Sequence, residues 1–460
     1  MPWPTLQWRD ALVPISSKHS QHFLKKVFVN ARLLRSDPER LAKNLLQFTN
    51  PALFEQRLLD VLHASPMHVQ YSPSAARMLR LNVLDAAWSA MGMTGGPNTA
   101  VNLAFRVARN GLPVRLVSTV EAATIDPGWL HDHAESLLGG GSVPNIQVAS
   151  AAQAGPPLQL GPGDAFLATH WTTAQQLKAV LPNMSCRQFF YMLQEFEPGF
   201  YPWSSNFALA VETYGMDYWP IINQATLANY LLAQPFGRLN DPVMRDRAII
   251  FEPAVDAALF HPGAAGASPR PRRLLFYARP TNTRNLFGLG LLALRQAAAD
   301  PAFAGWEFLS IGSRGSVPDL PLGHGHTLRR APWMDYAGYG DVLRGADILL
   351  CPMLSPHTSY PVLEMAACGG LSVTTIFATK TQEALAAMSE NIIAVEPTVE
   401  AMAHGLIQGA CRANSGQGGP AATTLPCDWN TALDPVADRV ASILKAWVAN
   451  GSTMRQNGTV

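Results

Sequence analysis

Charge is scarce in this 460-residue chain: 15% of the residues are Asp, Glu, Lys or Arg, and they sum to +1. So neutral a balance removes the electrostatic case for a nucleic-acid partner, which needs a strongly basic face or stripe. Cysteine is scarce too, and Cys186, Cys351, Cys368, Cys411 and Cys427 are odd in number and widely spaced. They read as reduced thiols of a cytoplasmic protein rather than a disulfide framework. No uninterrupted apolar run reaches the ~18 residues of a membrane span. Met1-Pro2-Trp3-Pro4 begins no charged-then-apolar leader. His131/His133 and His324/His326 lack a completing Cys, His or acid at ligand spacing, so no metal ligand set is expected.

What is present suits a globular protein of two or three domains: 48% hydrophobic residues, with 36 prolines and 35 glycines marking many turns. Residues 1–78 read as a helical N-terminal extension. Between Ser20 and Phe48, Phe23, Leu24, Val27, Phe28, Ala31 and Leu34 share a helix face among Lys25, Lys26, Arg32, Arg35, Arg40 and Lys43. Two readings stand: an appendage packed on the next domain, or a peripheral anchor on anionic lipid at the inner face of the plasma membrane. From Leu81, strand patterns alternate with helix patterns, which predicts α/β domains with parallel sheets. The first is placed at 79–248, with strands at Leu81–Ala86, Val114–Thr119, Ile146–Ala149, Asp164–Thr169 and Phe189–Leu193. The second is placed at 249–412. Residues 413–460 read as linker, a closing helix near Pro435–Val448, and a tail from Gly451.

The most informative stretch is Ser355–Thr375, SPHTSYPVLEMAACGGLSVTT. It follows the strand-like run Ala346–Pro352 with a polar turn and a helix near Pro361, whose fixed φ suits a first turn. Gly369-Gly370 ends that helix, and Leu371–Thr375 resumes as a strand. Such a helix N-terminus is an anion site, and Glu364 in its first turns can accept hydrogen bonds from ribose hydroxyls. The alternative is an ordinary strand–helix–strand unit capped by Ser359.

The run Pro361–Gly369 resembles the nucleotide-sugar signature of retaining GT-B glycosyltransferases of family four. Pro253–Pro262 is similar to the interdomain segment of that family, and Leu274–Pro280 with Arg284-Asn285 to its strand with a basic clamp. Phe308–Gly312 resembles its next strand and glycine turn. Ser-Pro-His-Thr-Ser-Tyr at 355–360 and the block Gln194–Tyr201 resemble bacterial rhamnosyltransferases of surface-glycan assembly. The resemblance covers roughly residues 80 to 400. It implies two Rossmann-like, doubly wound parallel-sheet domains with a cleft between them. It also implies a hexosyltransferase moving a sugar from a nucleotide sugar to a saccharide or lipid-linked saccharide acceptor. Retention of configuration, no metal or other cofactor, dTDP-L-rhamnose as donor and O-antigen or another surface polysaccharide as pathway belong to the same expectation. The alternatives are a sugar-nucleotide epimerase of this fold and a non-catalytic glycan-binding subunit.

Site residues follow from position and resemblance together. Arg279 and Arg284 flank a strand-end turn from which two guanidinium groups can grip a diphosphate. His170 ends a strand where the family contacts the donor sugar. Glu364, His357, Thr358, Ser359 and Tyr360 line the donor side, and Gly95-Gly96 permits close backbone approach. Glu195 and Glu197, in an aromatic block, are expected to bind the acceptor. Trp333 and the loop Thr327–Pro332 stand where the family holds the base. The first Glu of the family motif is replaced by Pro356, leaving His357, Thr358 and the N–H groups of Thr358–Tyr360 as substitutes. No Asp-x-Asp pair occurs, which argues against the metal-bound diphosphate of single-domain transferases.

Overall fold

Strands with buried residues along their whole length need cover on both faces, and that need organises the chain from Pro66 onward. The computed structural model describes residues 65–72, 79–263, 270–312, 318–332, 334–416 and 423–456. The basic pattern at Ser20–Phe48, and the membrane contact drawn from it, lie outside these residues. The chain divides into Met1–Ser65 and a second compact unit, Pro66–Val460.

In the second unit, β1 (Val69–Tyr71) pairs in parallel with β5 (Leu158–Leu160) as a small side sheet. The first large sheet contains β2 (Arg80–Asp85), β3 (Val114–Ser118), β4 (Gln147–Ser150), β6 (Asp164–Ala168), β7 (Phe189–Leu193), β8 (Tyr218–Asn223) and β9 (Ile249–Phe251). Its spatial order is 4-3-2-6-7-8-9, parallel throughout. Its helices are α1 (Gly96–Arg109), α2 (Pro127–Leu138), α3 (Trp171–Val180), α4 (Ser205–Thr213), α5 (Ala225–Leu231) and α6 (Pro242–Arg247). Alternation along the strands splits the core in two. Leu81, Val83, Leu116 and Leu167 face one layer, while Leu84, Val117, Phe166 and Ala168 face the other.

The second sheet contains β10 (Arg273–Tyr277), β11 (Glu307–Ile311), β12 (Leu320–Gly323), β13 (His326–Arg330), β14 (Ile348–Leu350), β15 (Leu371–Thr375) and β16 (Ile392–Val395). The order is 12-13-11-10-14-15-16, and the β12–β13 hairpin is its one antiparallel pair. Helices α7 (Phe287–Ala297), α8 (Tyr336–Arg344), α9 (Tyr360–Ala367), α10 (Gln382–Met388) and α11 (Val399–Asn414) cover it. Among the described residues, no helix is long and apolar enough to cross a membrane.

Four expectations shift. Ile249–Phe251 is the edge strand of the first sheet, so the second domain begins after Phe251 rather than at 249. Pro66–Ser72 joins the second unit through β1, so the extension ends earlier than residue 78. The closing helix, α12, runs from Trp429 to Gln456 with Pro435 inside it, longer than expected at both ends and reaching into the supposed tail. Thr327–Arg330 is strand rather than loop.

Helix α12 packs on the first sheet, where Leu433, Val436, Val440 and Leu444 join the core beside β2 and α1. Arg106, 1% exposed, holds it there by donating to Asn430 and Asp434 while also bonding Asn102 and the Leu137 carbonyl. The two passages between the sheets lie side by side: Val255 N–H donates to Pro426 O (2.9 Å) and Ala257 N–H to Cys427 O (3.1 Å). Arg106→Ala should cost about 2–4 kcal/mol, from lost charged hydrogen bonds and a core void. Denaturant unfolding measures that loss, and amide exchange should rise first in Trp429–Leu444.

Candidate active site between the two sheets

The C-terminal ends of both sheets meet at the turn Ser355–Tyr360, which β14 delivers and α9 continues. Ser355, His357, Thr358 and Ser359 are all buried. Ser355 Oγ donates to Glu195, and Gln224 accepts the Thr358 N–H at 2.8 Å. Tyr360 hydroxyl contacts Thr99 Oγ1 (3.0 Å) and accepts from Asn223 Nδ2 (2.6 Å). Gln224 and Ser359, the residues before α5 and α9, both hold left-handed φ values of 82° and 79°. Strained backbone of this kind persists only where surrounding bonds fix it, as they do here.

Glu364 lies one helical turn beyond Tyr360 and is 6% exposed. Its oxygens accept from Tyr336 hydroxyl (3.1 Å) and Tyr339 hydroxyl (2.9 Å). Burial pushes its pKa up to about 7, against those two bonds. His357 Nδ1 accepts the Ser359 N–H at 3.0 Å, so the ring proton belongs on Nε2. That buried Nε2 has no hydrogen-bond partner among the described residues. Burial, with Lys380 and Arg284 nearby, lowers the His357 pKa to about 3, so the ring is neutral. Lys380 is itself buried and donates to Met353 O at 2.9 Å.

Arg284 lies 4.3 Å over the Phe200 ring and 3.2 Å from Glu195. Its Nε makes no aligned hydrogen bond, so the contact with Glu195 is ionic. Arg279 bonds the Tyr277 phenol instead, so the two arginines have different neighbours. Two more buried acceptors at this junction, Gln194 Oε1 and Asn223 Oδ1, lack partners among the described residues. Polar atoms buried without partners are uncommon, and three of those found among the described residues, on His357, Gln194 and Asn223, belong to this junction.

On the first sheet, Gly95 adopts φ 56° before α1. Gly96 accepts from Gln194 Nε2 at its carbonyl (3.0 Å), and a Cβ there would meet that amide at 3.1 Å. His170 caps α3, with Nδ1 receiving the Thr172 N–H, while its ring stacks on Phe200. His170 Nε2 lies 3.9 Å from Glu197. Glu197 is 4% exposed and accepts from Trp171 N (2.6 Å) and Tyr191 hydroxyl (3.4 Å). Burial lifts its pKa to about 8.

The two acids expected on the acceptor side are therefore interior groups. Glu195 bridges the sheets through Ser355 and Arg284, and Glu197 anchors α3. Ser359 makes no side-chain cap. The N–H groups of Thr358 and Ser359, offered as substitutes for the missing acid, are already bonded to Gln224 and His357. Trp333 lies outside the described residues. Sequence reading missed Tyr336 and Tyr339, though their i, i+3 spacing puts both on one face of α8. It also missed Thr99, Asn223 and Gln224, which carry no motif, and Asp85, whose pKa burial raises at the end of β2. Among the described residues, no three His, Cys, Asp or Glu side chains are grouped to hold a metal ion.

Comparison with known proteins agrees with this layout. The N-terminal domain of the WsaF family matches residues 80–225 and its C-terminal domain residues 272–407, together more than half of the chain. The O-antigen biosynthesis protein RfbC of Myxococcus xanthus is 34% identical over 245 residues, 51% of this chain and 17% of that protein. HepE of Anabaena, solved in complex with UDP-glucose, superimposes with a TM-score of 0.50 at 13% identity, covering 82% of this chain and all of HepE. The apo structure of OtsA also gives 0.50, at 12% identity over 80% of this chain and 99% of that one. By its two matched domains the chain belongs to the WsaF family, and its fold is the GT-B fold.

Proposed function

We propose that this enzyme transfers a sugar from a nucleoside diphosphate to a saccharide acceptor, lipid-linked or free, during assembly of O-antigen or another surface glycan. The carrying observation is the turn at Ser355–Tyr360. There a helix N-terminus, Arg279, Arg284 and His357 Nε2 gather at the ends of β10 and β14, and Tyr360 of the same turn meets Thr99 in the first turn of α1. Helix N–H groups and guanidinium groups stabilise the charge that grows on a departing diphosphate. Glu364 supplies the acceptor for pentose hydroxyls. His170 contacts the transferred sugar from the first sheet. The name of the Myxococcus relative, and the nucleotide sugar bound by HepE, support this reading.

The finer assignments are a family-four, retaining, metal-independent reaction with dTDP-L-rhamnose as donor, in the cytoplasm. In it the bond from the anomeric carbon to the diphosphate breaks, and the acceptor oxygen bonds that carbon on the same face. The acceptor proton leaves on the diphosphate, so no protein base is consumed. The cations at the turn take the part that Mg²⁺ plays elsewhere.

Arg279→Ala should weaken binding of dTDP by roughly 1.5–3 kcal/mol, the range for hydrogen bonds to charged groups. Calorimetric titration tests it, and unchanged affinity in a folded variant removes Arg279 from the site. Arg284→Ala is a poorer probe, because it also strips buried Glu195 of its cation. Turnover should persist in excess EDTA; activity restored only by added Mg²⁺ or Mn²⁺ overturns the metal-free assignment.

Glu364 predicts a pH dependence. Its carboxyl ionises as pH rises through about 7, and only the ionised form offers every lone pair to ligand hydroxyls. Tyr336, Tyr339, Tyr277 and Tyr360 face it, with the buried thiols of Cys351 and Cys368. Affinity for the nucleotide should therefore fall as pH drops from 8 to 6, by about tenfold per unit below the transition at most. Titration of the diphosphate itself is common to both proteins, so Glu364→Gln should flatten only the enzyme's share of the slope.

A further inference from the structure

Resting on the donor-site reading above, the geometry points to Tyr339 as the residue that sets how many pentose hydroxyls Glu364 can read. It occupies one carboxylate oxygen and leaves the other for a single ligand hydroxyl. A carboxylate that recognises a vicinal diol takes two O–H donors lying side by side. Two phenols already stand in that relation here. Tyr339 donates to Oε2 at 2.9 Å and Tyr336 to Oε1 at 3.1 Å, with their rings stacked 6.2 Å apart.

The two phenols are not equivalent. Both meet the edge of Phe260, but Tyr336 is 48% exposed and stands at the outer end of the cluster. Tyr339 packs against the core beneath α8 and α9, with Leu343, Leu363 and Val362 among the residues of that core. A ligand hydroxyl reaching Oε1 needs Tyr336 only to turn outward into solvent. Reaching Oε2 requires Tyr339 to leave a packed layer, which a single hydrogen bond does not offset. One hydroxyl of the pentose is therefore read and the second gains nothing. A 2′-deoxyribonucleoside diphosphate binds as well as its ribose counterpart. Tyr339 is thus a specificity-determining residue that works through Glu364.

Titrating the full chain with UDP and 2′-deoxy-UDP isolates the 2′-hydroxyl on one base. The wild-type protein should bind the two within about threefold, whereas a 2′-hydroxyl bonded to a carboxylate is worth about tenfold or more. Tyr339→Phe should shift the ratio towards UDP by about fivefold or more, by freeing Oε2 for the second hydroxyl. Tyr336→Phe should leave the ratio near its wild-type value, and melting curves verify that both variants are folded. A wild-type preference for UDP of about tenfold, or a ratio unmoved in folded Tyr339→Phe, overturns the inference while the nucleotide site stands. If the wild type binds neither nucleotide, nor dTDP, the donor-site reading falls and takes the inference with it.

Discussion

The arrangement of the two sheets depends on one turn, Ser355–Tyr360, whose polar groups are bonded across the cleft. A buried N–H or hydroxyl without a partner costs about 1–3 kcal/mol, so such a turn cannot lie in a closed interface unless the facing sheet supplies acceptors. The facing sheet does. Glu195 comes from the end of β7, Asn223 and Gln224 from the β8–α5 junction and Thr99 from the start of α1, and each meets a group of the turn. These partners are specific in geometry, so they fix the register of one sheet against the other more tightly than apolar contact does.

Burial sets the electrostatic character of the same place. His357 is kept neutral, Lys380 is brought down to about 8, and Glu364 and Glu197 are pushed up to about 7 and 8. The interior penalises each charged form, which leaves His357 neutral and brings Lys380, Glu364 and Glu197 close to the pH at which they exchange a proton. An incoming dianion would meet Arg279 beside Arg284, whose charge is paired by Glu195 with Glu197 behind it. Perturbed ionisation gathered in a cleft is a common property of catalytic sites.

Much of this was legible in the sequence. Strands β2, β3, β6, β7, β10 and β15 announce themselves as apolar runs ended by turns. Helix α9 shows its start at Pro361 and its end at Gly369. The GT-B architecture implied by resemblance is the architecture found. What escaped has physical reasons. β8 carries Pro220 in mid-strand, which argues against a central strand, and β9 is three residues long. The β12–β13 hairpin contains Pro321, Gly323 and charged residues, because its edge position needs little burial. Glu195 and Glu197 look like surface acids because their partners, Ser355 and Trp171, are far away in sequence. Periodicity reports a residue's own face of an element, not what another domain brings to it.

The chain passes from the first sheet to the second and returns, and the two passages are hydrogen-bonded to each other at Val255–Pro426 and Ala257–Cys427. A body attached through a single flexible linker can swing and spin. One attached through two bonded strands of chain keeps chiefly a bending freedom about the line where they cross. The second sheet is in effect a door on a two-leaf hinge, with α12 as the plate screwed to the frame. Because both of its ends are anchored beside each other, rotation of the second sheet out of register with the first is resisted.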